Sequence, residues 1–92
     1  MRRVIWTDKA LADLETISLY LADFSPGAAA RFFIRLKEAG DNLALFAERG
    51  RLSGRGTREL TSVKPYIIRY RVVEDRVYVM TVRHAARRPI NP

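Results

Sequence analysis

Apolar positions recur along this chain with two different periods, and the change of period divides it. Ala10, Leu14, Ile17, Leu21 and Phe24 lie at helical spacing, so residues 8–23 are predicted to form one amphipathic helix. Thr7 offers a hydroxyl cap and Asp8 a first-turn carboxylate, both suited to the exposed N–H groups and positive end of a helix. Ser25 caps a second helix, with Pro26 at the first helical position, where its missing N–H costs nothing. That helix carries Ala29, Phe32, Phe33, Leu36, Leu43 and Phe46 inward. Gly40 interrupts it at a cost of about 1 kcal/mol relative to alanine, which predicts a close backbone approach to the first helix or to a sheet. So short a link makes the two helices an antiparallel hairpin. Val4, Ile5 and Trp6 favour a strand before them, and residues 57–62, 65–73 and 76–84 read as three strands after them.

Glu74 and Asp75 form a two-residue link, so the last two strands make a tight hairpin. An unbroken register sets Val72 opposite Val77, Tyr70 opposite Val79, Ile68 opposite Thr81 and Tyr66 opposite Arg83, on the face under the helices. The other face pairs Arg71 with Tyr78, Arg69 with Met80 and Ile67 with Val82, and ends near His84. Arginine beside exposed aliphatic and aromatic groups is the composition of a protein-binding surface. Residues 49–57, RGRLSGRGT, form a basic connector. They lack the lysine and hydroxyl residue of a phosphate loop and follow a helix, not a strand.

Composition changes the picture in three ways. At 92 residues the chain is expected to be one domain, residues 1–92, with a small core. The absence of cysteine excludes disulfides and thiolate metal sites and points to a reducing cytoplasm. Only the three-residue apolar run Val4, Ile5 and Trp6 leads into Thr7 and Asp8, short of a signal-peptide core, and no stretch approaches a membrane span. Charge is the third: residues 1–48 hold six Lys/Arg and seven Asp/Glu, and residues 49–92 hold eleven and three, so the halves carry −1 and +8. Arginine outnumbers lysine 14 to 3, and its planar fork suits carboxylates and phosphates. An acidic partner is implied: nucleic acid, an acidic protein segment and the ribosome surface all qualify.

Taken in order, WTDKALADLETISLYLADFSPGAAARFF, LALFAERGR, GTREL, PYIIRYRV and VRHAARRP resemble the ParE/RelE superfamily of bacterial toxin proteins over almost the whole chain. The resemblance implies an α+β fold of order β-α-α-β-β-β: an N-terminal strand, an antiparallel helical hairpin, then a three-stranded antiparallel meander forming one sheet. It also implies a type II toxin neutralised in a heteromeric complex by a cognate, ParD-like antitoxin with an acidic C-terminal segment. Ala47 departs from the pattern, since many relatives have proline there. RelE-like messenger-RNA nucleases typically carry arginine directly after the first tyrosine of the third-strand motif, and here that residue is Ile67. The difference favours the ParE-like branch, whose relatives poison DNA gyrase without being hydrolases. The ribosome-dependent nuclease is the second reading, and a basic DNA-binding module is the third.

Cutting RNA at a 2′-hydroxyl needs a base, an acid and cations for the phosphorane charge. His84, Arg69, Arg71, Arg83 and Arg87 could fill those roles, but His84 has no evident partner to set its tautomer. The contact set for antitoxin or target is Arg58, Ile67, Arg69, Arg71, Tyr78, Met80, Arg83, Arg87 and Arg88. Residues 84–92, with Pro89 and Pro92, suit a flexible basic tail. Arg58 and Glu59 point to opposite faces of their strand, and which of them meets the core is left open by the pattern. A single histidine with no cysteine makes no zinc site, and no cofactor is expected.

Overall fold

The computed structural model of the chain describes residues 1–86. Strand β1 (Arg3–Trp6) leads into helices α1 (Asp8–Ala22) and α2 (Pro26–Asp41), and a 3-10 turn (Asn42–Ala44) follows. Strands β2 (Arg51–Leu52), β3 (Thr57–Leu60), β4 (Tyr66–Val73) and β5 (Arg76–His84) complete the order. All five strands share one sheet, arranged β1-β5-β4-β3-β2. β1 runs parallel to β5 and the remaining pairs are antiparallel, so the sheet is mixed around the expected meander. β2 is an addition. It forms inside the predicted basic connector and pairs with β3.

The helix starts follow the caps. The Thr7 hydroxyl accepts from Ala10 N–H at 3.1 Å and donates to Val79 C=O at 2.9 Å, which fastens the start of α1 to β5. The Ser25 hydroxyl accepts from Ala28 N–H at 3.2 Å, and Pro26 occupies the first turn of α2. Gly40 lies under Trp6, where a Cβ would come 2.3 Å from Trp6 Cζ2. Trp6 also donates its indole N–H to Asp41 at 2.9 Å, so β1 is clasped to the end of α2.

Leu14, Leu36, Leu43, Ile68, Tyr70, Val77 and Val79 form the dry centre between the helices and one face of the sheet. Three residues expected in that layer lie outside it: Phe24 is 73% exposed, Phe33 42% and Phe46 58%. Helix α1 stops at Ala22, so Phe24 sits past its end. With Leu36 inward, Phe33 stands about 100° around the axis from Phe32 and points along the flank. Helix α2 ends at Asp41, earlier than its apolar spacing predicts, and the 3-10 turn brings Leu43 inward while Phe46 faces out.

The hairpin register holds from Val72 and Val77 through Tyr70 and Val79, then slips by one at a β-bulge. Met80 is the extra residue, so Arg69 meets Thr81, Ile68 meets Val82, Ile67 meets Arg83 and Tyr66 meets His84. The outer half of β5 is therefore reversed relative to the unbroken register. Val82 becomes core at 3% exposure, Arg83 moves to the open face, and His84 moves to the helix side.

Candidate protein-interaction face

Pairing and alternation place Arg3 and Ile5, Arg76, Tyr78 and Arg83, Ile67, Arg69 and Arg71, Thr57 and Glu59, and Arg51 on the sheet face away from the helices. Six arginines on these strands face one glutamate. Arg3 lies directly beside Arg76, a like-charge pairing that weakens a sheet on its own. Glu59 approaches Arg83 at 3.9 Å, with both side chains mostly covered. The apolar groups between the arginines, Ile5, Ile67, Tyr78 and Met80, are half-buried.

Of the contact residues read from the sequence, Ile67, Arg69, Arg71, Tyr78 and Arg83 share this face, and Met80 sits on it at the bulge. Arg58 does not. It shares the helix side with Tyr70 and donates to Gly50 C=O at 2.6 Å and Glu48 C=O at 3.2 Å, which answers the question left open between it and Glu59. Beside it the buried Tyr70 hydroxyl donates to Ala47 C=O at 2.6 Å and accepts from Gly50 N–H at 2.8 Å. Burial pushes the Tyr70 phenol pKa up, against the opposing pull of the Gly50 N–H. Arg87 and Arg88, with the rest of the expected tail beyond Ala86, lie outside the described residues; His84 itself belongs to β5.

Among the described residues the nuclease set is not brought together. Arg69, Arg71 and Arg83 lie on one side of the sheet, and His84 lies on the other. The His84 ring stands edge-on to Tyr66 at 5.6 Å, and its Nδ1 accepts from Ala86 N–H at 3.0 Å. Among the described residues no cluster of three or more His, Cys, Asp or Glu could hold a metal ion. Sequence reading missed Arg3, Arg51 and Arg76 as members of the face. Arg51 had no strand to give it a side, and Arg3 and Arg76 share a face only through the parallel pairing of β1 with β5.

A second surface lies on the helical side. Leu19, Tyr20 and Phe24 are exposed at the end of α1, with the Tyr20 and Phe24 rings 5.2 Å apart. Leu45 and Phe46 line a shallow pocket of about 470 Å³ with Glu48 and Arg49.

Residues 4–89 match the family model described as the ParE toxin of the type II toxin-antitoxin system parDE. Toxin RelE2 of Caulobacter vibrioides is 52% identical over 95% of this chain and 99% of its own length. Toxin RelE1 of the same organism is 33% identical over 88% and 90%. Among solved structures, one described as the chromosomal ParDE TA system from P. aeruginosa superposes with a TM-score of 0.78 at 26% identity, covering 91% of this chain and 96% of that one.

Proposed function

The chain belongs to the ParE/RelE superfamily of type II toxin-antitoxin toxins, and from that premise we propose that it arrests growth by binding and poisoning DNA gyrase, as a protein ligand and not as a nuclease. The reading is carried by the separation of its only histidine from Arg69, Arg71 and Arg83, on opposite sides of β4 and β5. A base must come within hydrogen-bond reach of the proton it removes, and the cations must reach the same phosphate. Ile67 adds to this. Beside Arg83 on the arginine face it supplies an apolar contact and no charge for a phosphorane.

A cognate antitoxin is the expected neutraliser, its acidic segment meeting a face on which six strand arginines outnumber one glutamate. Two assays on the purified toxin decide the target. Loss of gyrase supercoiling, or trapping of cleaved DNA, with messages on programmed ribosomes left whole, is the expected result. Cleavage of those messages with gyrase unaffected would overturn the proposal in favour of the ribosome-dependent nuclease. In cells, inducing the chain alone should stop growth, and co-expression of its antitoxin should restore it.

A further inference from the structure

Near the centre of the arginine face one guanidinium is short of partners. Arg69 Nε is buried and donates to no acceptor among the described residues. Its Nη2 reaches, among the described residues, only the Thr57 hydroxyl, at 3.4 Å. That hydroxyl is already engaged, donating to Gly54 C=O at 2.8 Å with Ser53 Oγ 3.0 Å away. Glu59 sits opposite Arg69 in the register, yet its carboxylate lies against Arg83. Nε and Nη2 form the edge of a guanidinium that takes both oxygens of an oxyanion in parallel. Buried donors are satisfied in the great majority of cases, so an idle one beside a weak contact is a donor for which a complex can supply the acceptor.

We propose that this edge of Arg69 is the receptor for one carboxylate, an Asp or Glu side chain of a protein partner laid across β3, β4 and β5. The proposal rests on the reading of this face as the meeting place for an acidic protein, and it names the residue on which that meeting is centred. A peptide carboxylate suits the setting better than a nucleic-acid phosphate for two reasons. Half-buried Ile67, Tyr78 and Met80 offer apolar contacts to neighbouring peptide side chains. Glu59 lies on the adjacent strand, where it would repel a strand of successive phosphates more than a single carboxylate. On binding, the guanidinium gives up the long Thr57 contact and turns its Nε–Nη2 edge out of cover to donate to both carboxylate oxygens.

The test uses the purified chain and three probes: a short peptide alternating Glu with Val, the same peptide with Gln for Glu, and single-stranded RNA of similar length. The Nε–H resonance of Arg69 is followed by ¹⁵N NMR, alongside affinities. The Glu peptide should shift that resonance to saturation and the Gln peptide should leave it in place. Arg69→Lys keeps the charge and loses the fork, so it should weaken the Glu peptide by about tenfold or more, while Arg31→Lys, exposed on α2 away from this face, should change it by less than about threefold. An unmoved Arg69 Nε–H with the Glu peptide bound would overturn the receptor. So would equal losses for the two lysine variants; in that case the acidic-partner reading survives and only its centre at Arg69 is lost. A saturating shift with RNA and none with the Glu peptide would reassign the site to phosphate and overturn the proposal. The wild-type resonance decides the matter even should Arg69→Lys fail to fold.

Discussion

Tyr70 holds the segment between α2 and β2 with one oxygen that both donates and accepts. Tyr70→Phe strands the Ala47 carbonyl and the Gly50 N–H in a buried setting, and a loss of about 1–3 kcal/mol is expected in urea unfolding. The phenol adds a pH dependence. Its pKa is raised above the ordinary 10.0, so the folded state holds the proton more tightly than the unfolded state does. Its contribution is therefore whole below pH 10 and is lost as pH rises through the raised value. The stability gap between wild type and Tyr70→Phe should narrow above about pH 10. Gly40 makes a second residue-scale case. Alanine would gain about 1 kcal/mol in helix propensity, but its Cβ collides with the Trp6 ring, and crowding of that kind costs typically about 1–3 kcal/mol. Gly40→Ala should lower the melting temperature and perturb the emission of Trp6, the chain's single tryptophan. A smaller side chain at position 6 should recover part of the loss, a coupling that a double-mutant cycle measures.

Among the elements, β5 carries the greatest consequence. Met80 is an inserted residue with respect to β4, and β1 leaves the edge of β5 at Val79, before the bulge. Deleting Met80 should therefore preserve the pairings of Thr81, Val82, Arg83 and His84 and melt closer to wild type than deletion of Val79, which removes a fully buried core side chain and leaves Met80 to fill its place. This bulge also marks where the sequence stopped being legible. The helix starts were readable because Thr7, Ser25 and Pro26 act locally, and so was the hairpin near Glu74 and Asp75, because a two-residue link fixes the pairs beside it. Beyond Tyr70 the register depended on a bulge without a glycine to announce it, and Arg83 and His84 exchanged faces. Phe46 was misplaced for a related reason, since spacing identifies an apolar stripe but not the residue at which the helix tightens into a 3-10 turn, and Phe33 because it stands about 100° around the axis from Phe32, on the flank of the stripe.

At the scale of the molecule, the two faces differ in character. The sheet presents the arginines, while the helices and the turn after them present Leu19, Tyr20, Phe24, Leu45 and Phe46. Association through the arginine face should be salt-sensitive, with the on-rate falling as ionic strength rises. Replacing Arg51, Arg71 and Arg76 together with glutamate should weaken antitoxin binding and flatten its salt dependence, read by stopped-flow or surface-based kinetics. Changing Tyr20 and Phe24 to serine should leave that salt dependence intact. If the charge reversal left both affinity and salt slope unchanged, the arginine face would not be the docking side. The composition showed the excess of positive charge in the second half of the chain, but its gathering onto one face came from pairings between distant segments.

The pairing of β1 with β5 also sets an order in time. The first strand has the last strand of the described chain as its neighbour in the sheet, and Arg3 reaches the arginine face only alongside Arg76. During synthesis the N-terminal strand leaves the ribosome with nothing to pair with until β5 follows it, and closing so long a loop is slow compared with forming the helical hairpin. The arginine face is thus the last part of the fold to exist, and a nascent or truncated chain lacking β5 should be harmless to the cell that makes it.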